Sequence, residues 1–222
     1  MTRRKRPPVL VALSPGDLVR AGGIRDPARD LVRTVEACVR VGLRGFLLRE
    51  PALSDRDTTE LALALRDVLG DGWLAIHDRA HLVPSCRADA VHLGFRSLTP
   101  AVARAVLGPQ VTIGFSAHER DDRATWNDAD YVFFGPVLDT PSKRGLVAPT
   151  GFDGLARAVS STPTPVWALG GLGPDDASRA AGAGASGMAV LGGITRAEDP
   201  ASACARYVER AHAHFVSASG EP

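Results

Sequence analysis

Several short apolar runs in this sequence end on residues able to hold an anion or bare the backbone. Arg49-Glu50 follows GFLL, His77-Asp78-Arg79 follows WLAI, Arg96-Ser97 follows AVHLGF, and Ser116 and His118 close the run TIGFSAH. Tyr131 to Lys143, YVFFGPVLDTPSK, carries two hydroxyls and a lysine at Thr140, Ser142 and Lys143. Two later runs end in glycine pairs, Gly170-Gly171 in ALGG and Gly192-Gly193 in VLGG. Hydroxyls and an ammonium in one loop suit an oxyanion, and glycine lets backbone N–H groups approach it without side-chain obstruction. If the last three runs meet, they form one site for a phosphorylated small molecule. Taken singly, each has an ordinary explanation. Arg49 could pair with Glu50 or Asp78 at the edge of the fold, and His118 could simply neighbour the N-cap of the next helix. His92, mid-strand, reads as a satisfied core histidine; His81, His212 and His214 carry no assignment.

The elements that must position these residues alternate regularly. Val9 to Leu13 is a short strand, and after a Ser-Pro-Gly turn Asp26-Pro27 supplies a helix start, with Leu31, Val35, Cys38 and Val39 on one face. Gly45 to Arg49, a helix striped by Leu61, Leu65, Val68 and Leu69, and Trp73 to Ile76 repeat the pattern. The next units are shorter: a brief helix at His81 to Pro84, a strand at Ala90 to Leu93, a helix from Thr99-Pro100 and a strand at Val111 to Phe115. A polar helical segment, Glu119 to Asn127, leads into Tyr131. Helices at Phe152 to Val159 and Asp176 to Ala181 separate the strands at Val166 to Leu169 and Met188 to Leu191. Asp199-Pro200 caps the last helix. Strict alternation with unbroken apolar strands predicts a parallel sheet buried on both faces. Eight such units favour a single-domain (β/α)8 TIM barrel over an open doubly wound sheet. RADAVHLG, NDADYVFFG and GASGMAVLGG form a weak internal repeat that agrees.

Composition narrows the function classes. The chain has 222 residues, 45% of them hydrophobic and 5% aromatic, with a formal net charge of +1, so no global basic field draws it to nucleic acid. Its three cysteines, Cys38, Cys86 and Cys204, share no metal-type spacing. No apolar run is long enough to span a bilayer. The opening MTRRKRPP is followed by too few apolar residues for a signal peptide, so residues 1–8 are expected to be a basic, disordered tail, residues 9–218 the barrel domain, and the protein cytoplasmic. Partners of the nucleic-acid or membrane kind are not expected; the helix faces are compatible with a homo-oligomer.

The runs GFLLRE, HDRAHLVPSCRADAVHLG, IGFSAH, ADYVFFGPVLDTPSKRG, ALGG and VLGGI, in order and spacing from about residue 45 to 195, resemble the thiamine phosphate synthase and TenI superfamily. The resemblance implies a (β/α)8 barrel that binds a thiazole phosphate. The synthase joins an aminopyrimidine diphosphate to the thiazole phosphate with loss of pyrophosphate. In that family an Arg and a Lys two residues apart, a Thr-x-[Thr/Ser]-Lys loop and a Mg2+ held by carboxylates after strands three and four supply the positive charge. This chain keeps Arg49, Asp78, Thr140, Ser142 and Lys143. It has Pro51 for the lysine, His77 for the asparagine before Asp78, and Phe95-Arg96-Ser97 where the second metal carboxylate would stand.

A TenI-like thiazole tautomerase asks for less, moving one proton with a phosphate cradle and no metal. His118 stands where the resemblance puts its histidine, and an imidazole can take and return a proton near neutrality. The expectation is therefore a metal-independent tautomerase without cofactor, with His118 as general acid/base and Arg49, His77 and Ser116 on the substrate. Thr140, Ser142 and Lys143 would form a second anion site, and Gly170, Gly171, Gly192 and Gly193 the phosphate cradle. The alternative is a synthase with Mg2+ on Asp78, and a second alternative is a non-catalytic ligand sensor.

Overall fold

The computed structural model describes residues 4–18, 25–94, 96–140 and 147–216. Eight parallel strands close into a barrel in sequence order, β1 pairing with β8. The strands are β1 (Leu10–Leu13), β2 (Gly45–Leu48), β3 (Trp73–His77), β4 (Ala90–Leu93), β5 (Thr112–Ala117), β6 (Tyr131–Phe134), β7 (Val166–Leu169) and β8 (Gly187–Val190). The helices are α1 (Arg25–Arg40), α2 (Asp55–Leu69), α3 (Pro100–Leu107), α4 (Arg123–Asn127), α5 (Gly151–Ser160), α6 (Ala177–Gly182), α7 (Gly192–Thr195) and α8 (Pro200–Ala211). Among the described residues no helix is long and apolar enough to cross a membrane.

Local chemistry explains most boundaries. Thr99 and Asp199 accept from the N–H groups of Val102 and Ser202, at 3.4 and 3.1 Å, with proline at the first helical position in each case. Helix α1 begins at Arg25, one residue before the expected Asp26-Pro27 start. Strand β5 runs two residues beyond Phe115 and carries Ser116 with it. Of the polar stretch Glu119 to Asn127 only Arg123–Asn127 is helical, capped by Asp122. The Gly192-Gly193 pair opens the unexpected four-residue helix α7.

Two apolar layers follow from strand parity. Outward residues pack under the helices in the larger core, where Cys38, Cys86 and Cys204 are all buried and free. Inward residues fill the barrel: Val11, Leu13, Leu47, Trp73, Ala75, Ala90, Tyr131, Phe133, Trp167 and Ala189. Trp73 and Trp167 meet Tyr131 edge to face, at centroid distances of 5.6 and 5.9 Å. These rings fit because a neighbouring strand gives way: a Cβ on Gly114 would sit 2.0 Å from the Tyr131 ring. Alternating large and absent side chains is how a closed barrel becomes a packed core.

Residues 4–8 of the expected tail lie across the N-terminal mouth. Lys5 O accepts from Trp73 Nε1 at 3.2 Å and from Thr112 Oγ1 at 3.0 Å, and Pro8 O accepts from Trp167 Nε1 at 2.8 Å. Arg4 pairs with Asp130. Buried indole N–H groups need acceptors, and this segment supplies them.

Candidate functional site at the C-terminal mouth

Parity along the strands turns Arg49, His77, Ser116 and His118 toward the barrel axis, since each continues the inward series of its strand. The side chains between them point elsewhere. Glu50, only 6% exposed, accepts from Gly16 N at 2.6 Å and Leu18 N at 3.0 Å, pinning the loop after β1. Among the described residues no hydrogen bond or ion pair engages the Arg49 guanidinium. It lies over Gly16, whose φ of 88° and missing Cβ leave room; a Cβ there would come 3.1 Å from Arg49 Nη1.

After β3 the backbone turns sharply, with φ of 55° at Asp78 and 33° at Arg79, a region that non-glycine residues occupy only when their surroundings hold them. Asp78 N is fixed by His92 O at 2.9 Å. The Arg79 side chain leaves the mouth for the start of α2, where it meets Thr58, Leu53 O and, at 3.1 Å, Asp55. Asp78 stays, with Oδ1 accepting from the Ser97 hydroxyl and from Gly94 N, the latter at 3.3 Å. Its Oδ2 lies 3.3 Å from His77 Nδ1. Burial lowers the His77 pKa to about 4 against the pull of Asp78, with Arg49 and Arg79 repelling the proton further. The ring is therefore neutral near pH 7. A cavity of about 90 Å³ lies here, lined by Leu48, Glu50, Pro51, Thr58, His77, Asp78 and Arg79.

On the opposite wall His118 follows β5, and Asp121 holds it twice: Oδ2 accepts from His118 N at 2.7 Å and stands 3.5 Å from Nδ1. Sequence reasoning missed Asp121, although its spacing of three residues from His118 was a usable signal. Ser116 Oγ lies 2.8 Å from His92 Nε2, whose Nδ1 lies 3.0 Å from the Tyr131 hydroxyl. His92 is a satisfied core histidine, as its mid-strand position suggested.

The loop after β6 and the first glycine pair lie against each other. Leu138 N donates to Gly170 O at 3.0 Å, and a Cβ on Gly171 would sit 2.5 Å from Asp139 O. Gly170 and Gly171 have φ of 99° and 72°, so close packing and backbone shape both require glycine. Gly193 gives room to the Tyr207 hydroxyl, whereas a Cβ on Gly192 would meet nothing within 4 Å. Thr140 is half-buried beside Asp139; Ser142 and Lys143 lie outside the described residues. Arg96 is exposed at the rim.

Among the described residues no cluster of three His, Cys, Asp or Glu side chains could hold a metal ion. Asp78 is a single carboxylate with a hydroxyl partner. Mg2+ commonly takes one or two carboxylates and completes its shell with phosphate oxygens and water, so this donor set fits an ion carried in on a diphosphate.

Residues 20–194 match the family model described as thiamine monophosphate synthase. A thiamine-phosphate synthase of Albidiferax ferrireducens is 36% identical over 80% of this chain and 83% of its own length. One of Gloeobacter violaceus is 38% identical over 84% of this chain and 56% of its own, so the chain spans about half of that relative. The thiamine phosphate pyrophosphorylase structure from Pyrococcus furiosus superposes with a TM-score of 0.78 at 24% identity, over 93% of this chain and 96% of that one.

Proposed function

Because the chain belongs to the thiamine monophosphate synthase family, and so to thiamine biosynthesis, we propose that it joins an aminopyrimidine diphosphate to a thiazole phosphate with release of pyrophosphate. The observation that carries this is the inward Arg49 guanidinium, without a carboxylate partner among the described residues and beside the neutral ring of His77. A cation so placed suits a diphosphate, and the names of the relatives support the same reaction. In it the bond from the pyrimidine carbon to the diphosphate breaks, the electron pair leaves with pyrophosphate, and the thiazole forms the new bond to that carbon.

This chain's residues would divide the work. Arg49 binds the leaving pyrophosphate, where charge grows in the transition state and fixed positive groups act most strongly. Mg2+ bound with the diphosphate would take Asp78 as its protein carboxylate and neutralise further phosphate charge. Ser116 and His118 face the ring systems from the far wall. The loop after β6 and the backbone at Gly170-Gly171 and Gly192-Gly193 would receive the thiazole phosphate.

A thiazole tautomerase is the second reading. Specific observations favour it: the His118 imidazole is held by Asp121, while Pro51 and Ser97 stand where the family synthases place a lysine and a carboxylate. One experiment separates them. The protein is given thiazole carboxylate phosphate with and without the aminopyrimidine diphosphate, Mg2+ and chelator. Chelator-sensitive pyrophosphate release is expected. Tautomer conversion that resists chelator and disappears in His118→Ala would replace the synthase reading, and binding without turnover would overturn both.

A further inference from the structure

In the barrel interior a hydrogen-bonded chain joins Ser116 to two buried polar residues that the reaction above does not use, His92 and Tyr131. Tyr131 stands on the floor of β6, His92 above it on β4 and Ser116 at the upper end of β5, joined at 3.0 and 2.8 Å. His92 is 1% exposed, with Phe133 packed on its ring at a centroid distance of 4.5 Å and Tyr131 at 5.5 Å. A ligand in the mouth therefore touches Ser116 and not His92.

Hydrogen-bond satisfaction gives the chain a direction. Among the described residues the Tyr131 hydroxyl has one partner, His92 Nδ1. If its oxygen accepted, its own hydrogen would be buried with no acceptor; if it donates, only lone pairs stay idle, which costs less. Donation by Tyr131 makes Nδ1 the acceptor and places the imidazole hydrogen on Nε2. That N–H then donates to Ser116 Oγ, and the serine hydrogen is left to point into the mouth. We infer that Tyr131 and His92 are positioning residues that fix Ser116 as a hydrogen-bond donor, so the substrate presents an acceptor there, a carboxylate oxygen or a ring nitrogen, and not an N–H. Both buried groups stay neutral: desolvation lowers the His92 pKa and raises that of Tyr131.

The substrate part of this inference rests on the reading that the ligand occupies this mouth, whereas the tautomer does not. The test uses the full chain labelled with 15N-histidine and no ligand, reading the ring nitrogens by long-range proton–nitrogen correlation, with the His92 signals assigned by their shift in Ser116→Ala. The expected result is the Nε2–H tautomer, unchanged from about pH 5 to 8, where an ordinary imidazole titrates. With substrate, Ser116→Ala is expected to raise KM about tenfold, one charge-assisted hydrogen bond, and to lower the melting temperature because the buried His92 Nε2–H loses its acceptor, and Ser116→Thr to recover most of both losses. An Nδ1–H tautomer overturns the inference, as does an unchanged KM in Ser116→Ala. Should the protein turn over no thiazole phosphate at all, the functional reading fails and the tautomer alone decides this one.

Discussion

The carboxylate of Glu50 turns away from its sequence neighbour Arg49 and onto the backbone of the β1 loop, at 2.6 Å from Gly16 N and 3.0 Å from Leu18 N. Glu50 is thereby structural, and the Arg49 guanidinium keeps no ion-pair partner among the described residues. Arg49→Ala is expected to weaken pyrophosphate binding about tenfold or more, the worth of a charge-assisted contact, with unfolding midpoints little changed. Glu50→Ala should do the reverse, costing about 2 kcal/mol of stability through two orphaned N–H groups. Calorimetric titration with pyrophosphate and urea unfolding of both variants check the pair. Equal effects on binding would remove the division of roles.

His77 makes stability depend on pH. Its folded pKa of about 4 lies below the ordinary 6.5, chiefly through burial. The folded protein thus binds fewer protons than the unfolded chain between these values, and stability rises with pH across that window. The contribution is complete above about pH 6.5 and is lost as pH falls toward 4, amounting to up to ~3 kcal/mol. Urea midpoints measured across this range should slope upward with pH, and His77→Asn should flatten the slope. An unaltered slope would move the effect to His92, whose pKa is lowered in the same direction.

Ser97 donates to Asp78 where the family synthases carry a second acid. Ser97→Asp should therefore lower the Mg2+ concentration giving half-maximal pyrophosphate release by about tenfold, as one carboxylate becomes two. Steady-state assays over a range of Mg2+ concentrations read it directly. No change would argue against an ion at Asp78.

Residues 4–8 serve as a floor for the barrel. Removing residues 1–7 leaves Trp73 Nε1 and Thr112 Oγ1 without the Lys5 carbonyl, and should cost about 2 kcal/mol. Acrylamide quenching of tryptophan fluorescence should rise in the truncated protein as water reaches Trp73. Unchanged quenching and stability would return the segment to a passive tail.

The sequence by itself determined the alternation of strands and helices, because apolar periodicity and caps such as Thr99-Pro100 and Asp199-Pro200 act within a few residues. It also determined which residues stand at strand ends, since parity follows from counting along each strand. Only the tertiary structure decided which of those polar groups are committed. Arg79 leaves the mouth for Thr58 and Asp55, Glu50 is taken by Gly16 and Leu18, and Asp78 is shared with Ser97. Residues 4–8 gained a role for the same reason, supplying acceptors to indoles distant in the chain. Local sequence sets where a side chain points; what it meets depends on segments brought alongside by closure of the barrel, across separations that no short-range pattern records.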